Sequence, residues 1–240
     1  MKPVLFYGVP QGCSLGSVIA LEWLGVPYQL TRIEMMRHPW PALFARINPL
    51  NLTPAYLTED NRVINESTAI LLHLAAQKDH KLGYPQGTPE YDRLNQTLAY
   101  LNTEFFWAFS PLWIAYEMEA DPPKQAMLRE QGQARVAKAC RYLDTLLAAR
   151  EWIDGGTKRT VADAYFVALA RWAEYHKALS VDAYPNLHRH LQKLRTDPAV
   201  AFAHAIENET PAQTTGGFLG HISLDALEPR LPKPAGLQAA

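Results

Sequence analysis

The sequence has few cysteines, almost no net charge and no long apolar run. Its only two cysteines, Cys13 and Cys140, are too far apart to suggest a disulfide framework and favour a reducing compartment. A formal net charge of −1 gives no broad attraction for nucleic acid or an anionic membrane. No apolar stretch approaches the roughly 18 residues of a membrane span, and the N-terminal apolar run is too short for a signal peptide. We therefore expect a cytoplasmic protein that binds neither nucleic acid nor membrane.

Histidine gives no sign of a metal site. The eight histidines are scattered, and no pair has metal-ligand spacing supported by a third ligand. His188 and His190 would lie on different faces of a helix. We expect no bound metal.

The first 79 residues alternate between strand-like and helix-like patterns. A helical connection between the first two strands predicts a parallel pair, whereas the turn at 58–61 predicts an antiparallel hairpin. We expect a mixed four-stranded sheet in an α/β domain over residues 1–79. The predicted strands are 4–7, 28–34, 55–58 and 62–64, and the helical pieces are 16–24, 41–46 and 67–77.

From residue 90 the pattern is helical, with helices predicted at 91–116, 123–150, 161–179 and 185–194. Thr160 and Asp163 form a capping box, because the Thr160 hydroxyl can accept the backbone amide of Asp163 and the Asp163 carboxylate can accept the backbone amide of Thr160. The small apolar residues that follow predict an interior helix. We expect an all-α domain over 90–209 and an irregular tail over 210–240, where Gly, Pro and Thr are frequent.

Two segments predict a site for a small peptide that carries a carboxylate. Pro54 cannot donate a ladder hydrogen bond, so it belongs at an edge or in a turn, where the backbone of Thr53 stays open to a peptide-like ligand. Glu66 and Ser67 begin a helix whose unpaired amide groups can bind a carboxylate. Such a ligand would lie between an edge strand and the start of a helix.

The order and spacing of several short motifs resemble those of the glutathione transferases, over roughly residues 4–205. The resemblance implies a thioredoxin-like N-terminal domain followed by a helical-bundle C-terminal domain, usually paired as a homodimer, with glutathione as co-substrate. The matching segments are Leu5-Phe6-Tyr7, Cys13-Ser14-Leu15, Asn48-Pro49 with Thr53-Pro54, Glu66-Ser67-Thr68-Ala69-Ile70, Phe109-Ser110-Pro111-Leu112 and Thr160-Val161-Ala162-Asp163-Ala164.

Within that family the chain is most similar to the bacterial beta class, because a cysteine followed by Ser-Leu precedes the first helix. In that class the cysteine can form a mixed disulfide with glutathione, and Cys13 is the matching position. The resemblance also implies that Arg37 or His38 supplies the basic residue of the loop after the second strand.

Three positions depart from the beta-class pattern. Where the class has a histidine ahead of the Phe-Ser-Pro segment, this chain has Phe106, and Trp107 follows in place of a basic residue. The class asparagine is matched by Ala99, although Asn102 lies one helical turn along and can substitute for it. The polar half of that site has become aromatic.

Three side chains are candidates for acting on the glutathione thiol. For Cys13 there are three alternatives. It acts as a catalytic or redox thiol, whose thiolate the helix N-terminus would favour, it contacts glutathione without taking part in the chemistry, or it only packs. Ser14 donates a hydrogen bond to a bound thiolate or caps the helix. Tyr7 matches the tyrosine that other classes of the family use for this task, or it packs.

An aromatic-rich segment predicts a wall of the second-substrate pocket. Residues 105–116 hold six aromatic side chains, more than one buried helix face accommodates. We expect a pocket for a small apolar electrophile, lined by Tyr7, Phe106, Trp107, Trp113 and Tyr116.

The sequence therefore predicts an enzyme, a glutathione transferase of the detoxification type that conjugates glutathione to apolar or aromatic electrophiles. Two alternatives remain. One is a glutathione-dependent thiol-disulfide oxidoreductase that uses Cys13. The other is a non-catalytic, transferase-like binding or regulatory protein.

Overall fold

The structure, a computed structural model, describes residues 1–117 and 121–232. Its N-terminal part follows the predicted βαβ and ββα order, with a short 3₁₀ turn at Ala42–Arg46 between the two halves. The elements are β1 (Val4–Val9), α1 (Leu15–Leu24), β2 (Pro27–Glu34), β3 (Ala55–Leu57), β4 (Val63–Asn65), α2 (Ser67–Ala75) and α3 (Gln77–His80).

The predicted mixed sheet is confirmed. β1 pairs in parallel with β2 and antiparallel with β3, and β3 pairs antiparallel with β4. Successive side chains of β1 point to opposite faces, so Leu5 and Tyr7 pack on one face, towards α1 and α2, whereas Val4 and Phe6 pack on the other. The sheet therefore has a core on each side.

The predicted irregular tail and four-stranded sheet are wrong, because Gly217–His221 forms a fifth strand, β5. β5 adds in parallel to β2 and gives the order β4-β3-β1-β2-β5. The buried Glu22 carboxylate of α1 accepts hydrogen bonds from the backbone amides of Thr215 and Gly216, each at 2.8 Å. These bonds hold the segment that leads into β5. Gly217 then comes so close to β2 that a Cβ would lie 2.1 Å from the Val26 carbonyl oxygen. The close packing here requires a glycine that, in the sequence, favoured an irregular tail.

After β5, the chain crosses to the second face of the sheet. A short helix α11 (Leu224–Leu227) and a 3₁₀ turn (Glu228–Arg230) place leucines in the core around Phe6. Arg230 donates to Asn61 Oδ1 at 2.9 Å and to the Lys2 carbonyl at 2.8 Å. Residues 210–232 thus form a strap across the N-terminal domain, while residues 233–240 of the predicted tail lie outside the described residues.

The C-terminal part is helical, as predicted, but two of the expected helices are interrupted. The first predicted helix is divided into two helices by a π-helical segment at Leu101–Phe106, and the third predicted helix is interrupted at Arg171. Within the described residues, no helix has the length and apolar character needed to cross a membrane. The helices are α4 (Pro89–Tyr100), α5 (Ser110–Glu117), α6 (Pro122–Leu147), α7 (Val161–Ala170), α8 (Trp172–Tyr175), α9 (Pro185–Arg195) and α10 (Pro198–Glu207).

α7 is the predicted interior helix, and all ten of its residues are buried. The capping box is present: the Thr160 hydroxyl accepts the Ala162 amide at 3.3 Å, and Asp163 accepts the Thr160 amide at 2.9 Å. The second Asp163 oxygen accepts the Ile153 amide and contacts His190, both at 3.0 Å. Because α7 also packs on α1, its end lies beside the loop between β1 and α1.

Candidate functional site

Three segments that are distant in sequence meet at the Cys13 sulfur. Cys13 lies in the turn between β1 and α1, Thr53 precedes β3, and Ser67 begins α2. The Cys13 thiol donates to the Thr53 carbonyl oxygen at 3.8 Å, and the Ser67 hydroxyl donates to Cys13 Sγ at 3.3 Å. The two peptide-binding segments indicated by the sequence therefore border one thiol.

Thr53 lies in a loop and not beside an edge strand as expected. β3 is internal, flanked by β4 and β1, so a ligand would meet the backbone at the loop ahead of it. The Thr53 hydroxyl donates to Met35 Sδ at 3.3 Å, and a Cβ on Gly8 would lie 2.1 Å from Thr53 Oγ1. A glycine at position 8 thus allows this loop to lie close to the end of β1, with Pro54 buried behind it.

The start of α2 is open to a ligand. Glu66 has φ 73° and ψ 127°, a conformation rare for an L-residue, and its exposed side chain does not cap the helix. The first amides of a helix are left without intrahelical partners and carry partial positive charge. With Ser67 next to Cys13, this terminus can hold a carboxylate within reach of the thiol.

The loop after β2 carries both predicted basic residues on its surface. Arg37 and His38 are exposed, and the His38 ring stacks on Trp40 with 6.3 Å between centroids. The loop is held by the Trp40 indole, which donates to the Met35 carbonyl at 3.1 Å, and Met35 in turn contacts Thr53. Arg37 and His38 therefore belong to a loop that packs on one wall of the site.

Asn102 reaches the site through a tyrosine that the sequence did not indicate. The Tyr165 hydroxyl of α7 donates to Asn102 Oδ1 at 2.9 Å. Burial raises the pKa of Tyr165, and Cys13, Ser67 and Glu66 are the groups that act on it electrostatically. Tyr165 thus stays a neutral hydroxyl between the π-helical segment and the thiol.

The surroundings of Cys13 favour its neutral thiol over the thiolate. Burial raises the pKa of Cys13 above its usual value, and the Ser67 hydrogen bond and the Arg171 charge lower it only in part. Desolvation disfavours the charged form and here outweighs the helix N-terminus. Cys13 can therefore donate a hydrogen bond at neutral pH, but it is a poor nucleophile.

Ser14 does not face the site. Its buried hydroxyl accepts the Gly8 amide at 3.1 Å and donates to the Gly8 carbonyl at 3.5 Å. It joins the end of β1 to the start of α1 without capping that helix. In this structure the Ser14 hydroxyl therefore bonds the backbone of Gly8 and not the groups around the Cys13 sulfur.

Tyr7 is also separated from the thiol. Its hydroxyl lies 3.0 Å from His221 Nε2, at the end of β5, and its ring lines a cavity beside β2. The sequence placed Tyr7 in the pocket for the second substrate or on the thiol. The added strand β5, which the sequence did not predict, provides the partner that its hydroxyl has instead.

Segment 105–116 holds four of the residues predicted to line the second-substrate pocket, and three of these four form one cluster. Phe106 and Trp113 pack edge-on against Trp172, with ring centroids 5.2 and 5.3 Å away, and Tyr116 packs on Trp113 at 5.9 Å. Trp107 is 57 % exposed and lines a different cavity, with Tyr100 and Tyr142. Neighbouring residues of a helix point about 100° apart, so Trp107 turns away from the side that holds Phe106.

Two side chains at the end of α7 hold the loop that carries Cys13, and the sequence analysis missed both. Arg171 donates to the Gly12 carbonyl at 2.7 Å and forms a buried ion pair with Glu207 of α10. The Trp172 indole donates to the Gln11 carbonyl at 2.8 Å. The available signal was an arginine directly after a long apolar stretch, since a buried charge must be paired.

His176 adds a neutral polar group to the aromatic cluster. It is buried, its ring lies 4.3 Å from Trp113, and no described residue bonds its Nε2. Burial lowers the pKa of His176 to about 4. The sequence gave no signal for it, because a lone histidine between helices does not reveal its neighbours.

Two family models and a curated relative match this chain. Residues 12–77 match the family model of the glutathione S-transferase N-terminal domain, and residues 100–198 match that of the C-terminal domain. Glutathione S-transferase GstA of Escherichia coli O157:H7 is 29 % identical over 207 residues, which cover 85 % of this chain and 98 % of GstA.

Solved structures show the same architecture and confirm the predicted fold class. A sphingomonad glutathione S-transferase complexed with glutathione superposes with a TM-score of 0.76 at 28 % identity, covering 85 % of this chain and 98 % of the other. The bacterial beta class enzyme of Sphingomonas chungbukensis gives a TM-score of 0.74 at 28 % identity, with the same coverage of 85 % and 98 %. This chain belongs to the glutathione S-transferase family.

Proposed function

We propose that this protein conjugates glutathione to apolar or aromatic electrophiles. The observation that carries the proposal is the meeting of Thr53 and Ser67 at the Cys13 sulfur. The cysteinyl backbone of glutathione pairs with Thr53, and its γ-glutamyl carboxylate lies at the start of α2. This arrangement brings the glutathione thiol next to Cys13. The sphingomonad relative, complexed with glutathione, supports the choice of ligand.

The chemistry needs glutathione, and not the protein, to be the nucleophile. The glutathione thiol loses its proton to solvent, the thiolate attacks the electrophilic carbon, a C–S bond forms, and the leaving group departs with its electron pair. The neutral Cys13 thiol donates a hydrogen bond to the glutathione thiolate in place of the Thr53 carbonyl, which favours the charged form. A protonated Cys13 makes disulfide exchange the less favourable alternative, since that reaction requires its thiolate.

The second substrate binds at the aromatic cluster. Phe106 and Trp113 pack against Trp172, and Tyr116 packs on Trp113. The Trp172 indole donates to the loop that carries Cys13. Apolar side chains hold a ligand through area removed from water, about 25 cal/mol per Å², which selects for hydrophobicity and rough shape. Because His176 is neutral, an apolar electrophile that covers it does not have to desolvate a charge.

We also propose that the protein is a homodimer and lies in the cytoplasm. Trp107 and Tyr142, 57 % and 46 % exposed, lie together in a cavity of about 430 Å³ between α4 and α6. Exposed aromatic side chains that cluster are typical of interface cores. Both cysteines are free, which fits a reducing compartment.

Calorimetric titration with reduced glutathione tests the binding step. We expect one saturable site per chain and an affinity weakened about tenfold or more by Ser67→Ala, because a hydrogen bond to a charged group contributes about 1.5–3 kcal/mol. Ser180→Ala is the matched control, since Ser180 is an exposed serine that directly precedes the 3₁₀ turn Val181–Ala183. A folded protein that shows no saturable heat at millimolar glutathione contradicts the proposal and supports a transferase-like fold used for protein binding.

A further inference from the structure

A cavity of about 680 Å³ lies where β2 and β5 end, beside α10. More than half of its lining residues belong to segment 206–224, which lies beyond residue 198, where the match to the family model ends. Its lining includes neither the residues around the Cys13 sulfur nor the aromatic cluster. The volume is in the range of about 300–1,000 Å³ that small-molecule sites occupy. The strap therefore creates a compartment separate from the thiol site.

The lining combines an apolar part with polar and charged side chains. Ile33, Ile206 and Leu224 are at least nine-tenths buried and form its apolar part. Two polar groups meet in the lining, the Tyr7 hydroxyl and His221 Nε2, 3.0 Å apart. The other polar residues of the lining are Thr31, Arg32, Glu209, Thr210 and Ser223. An apolar cavity with a few convergent polar groups is the usual form of a small-molecule site.

The charges around the cavity are already matched. Arg32 pairs with Glu34 at 2.6 Å and with Glu209 at 3.4 Å. Burial lowers the pKa of His221 and raises that of Tyr7, so both side chains are neutral at pH 7. An anionic ligand would have to compete with two carboxylates for one guanidinium, and a cation would meet Arg32. A neutral ligand incurs neither cost.

The hydrogen bonds of Tyr7 favour a ligand with a hydroxyl group. The Arg32 charge acts on the Tyr7 hydroxyl, and that hydroxyl and His221 Nε2 can each donate to the other, depending on the tautomer of His221. If Tyr7 donates to His221, its oxygen can accept from a ligand. If His221 donates to Tyr7, the tyrosine can donate instead. A hydroxyl group can take either role, so the tautomer of His221 does not decide the ligand class.

We propose that this cavity binds a small, neutral, largely apolar alcohol or phenol, whose hydroxyl group hydrogen-bonds to the Tyr7–His221 pair. This site does not depend on glutathione and stands whether or not the thiol site conjugates.

The probes are 4-methylphenol and 4-methylbenzoate, titrated separately into the full chain at pH 7 and followed by NMR of the protein amides. They share a methyl-bearing ring, but the first is neutral, like the tyrosine side chain, and the second is an anion. We expect saturable binding of 4-methylphenol and at least tenfold weaker binding of 4-methylbenzoate. The amides of β5 and of segment 206–224 should shift.

Three variants locate the site. Thr210→Trp places a large ring at the exposed rim and should weaken 4-methylphenol binding at least tenfold, and Tyr7→Phe should weaken it about threefold to tenfold. Leu219→Ser is the matched control, because Leu219 is exposed on β5, the strand that also holds His221, and does not line the cavity. No saturable binding, equal affinity for the two probes, or a loss caused by Phe106→Ala and not by Thr210→Trp would overturn the proposal.

Discussion

Ending the chain after Glu209 is expected to unfold the N-terminal domain. The deleted segment buries Leu224, Leu227 and Leu231, which are 9 %, 0 % and 6 % exposed, in the core around Phe6. A buried leucine contributes roughly 1.5–3 kcal/mol, so three contribute about 5 kcal/mol or more before the pairing of β5 is counted. A whole domain is stable by about 5–15 kcal/mol. The deletion therefore removes a large part of the stability.

Urea unfolding followed by circular dichroism measures this loss. A chain ending after Pro232 is the matched control, because it retains the whole described strap. If the shorter chain cannot be purified, Leu227→Ala in the full chain should lower the free energy of unfolding by about 2–5 kcal/mol. Equal midpoints for the shortened chain and its control would show that the strap is not part of the N-terminal core.

Replacing Arg171 by Met is expected to cost about 3–5 kcal/mol of stability, because the substitution leaves a buried carboxylate without its partner. Arg171 and Glu207 are each 8 % exposed at their side chains. The same substitution releases the Gly12 carbonyl, which Arg171 holds at 2.7 Å next to Cys13. Since the Arg171 charge also lowers the pKa of Cys13, the variant's thiol should ionise at higher pH.

Two readouts separate stability from positioning. Urea unfolding gives the first, with Arg62→Met as control, since it breaks the exposed Arg62–Asp60 pair and should cost no more than about 1 kcal/mol. The rate of Cys13 alkylation against pH gives the second, measured in Cys140→Ala so that one thiol reacts. Its midpoint should rise in Arg171→Met and partly return in Arg171→Lys. An unfolding cost no larger than that of Arg62→Met would contradict the buried pair.

Much of the site was predictable because its signals are local. The polar start of α2, the proline after Thr53 and the capping box at Thr160 each depend on a few adjacent residues, and the structure has all three elements where the sequence indicated them. The fold class followed from the order of strand and helix patterns. Such features need only backbone chemistry and periodicity.

The rest depends on contacts between distant segments. β5 forms because Glu22 binds the backbone at 215–216, nearly two hundred residues away, and glycine-rich sequence gives no hint of that. The Tyr7 hydroxyl bonds His221 and the Ser14 hydroxyl bonds Gly8, and no local sequence pattern predicts these partners. The burial that raises the pKa of Cys13 could not be predicted for the same reason, since burial is a property of the assembled fold.

The central claim is that glutathione, and not Cys13, is the nucleophile, and the conjugation rate of Cys13→Ser tests it most directly. The assay follows thioether formation between glutathione and 1-chloro-2,4-dinitrobenzene. A serine hydroxyl retains a hydrogen-bond donor at position 13 but cannot form a mixed disulfide. We expect the variant to conjugate within about tenfold of the unmodified protein, a factor that corresponds to about 1.4 kcal/mol of hydrogen-bond strength. If folded, glutathione-binding Cys13→Ser shows no rate above the uncatalysed reaction, while the unmodified protein does, then Cys13 itself carries the chemistry and the account is contradicted.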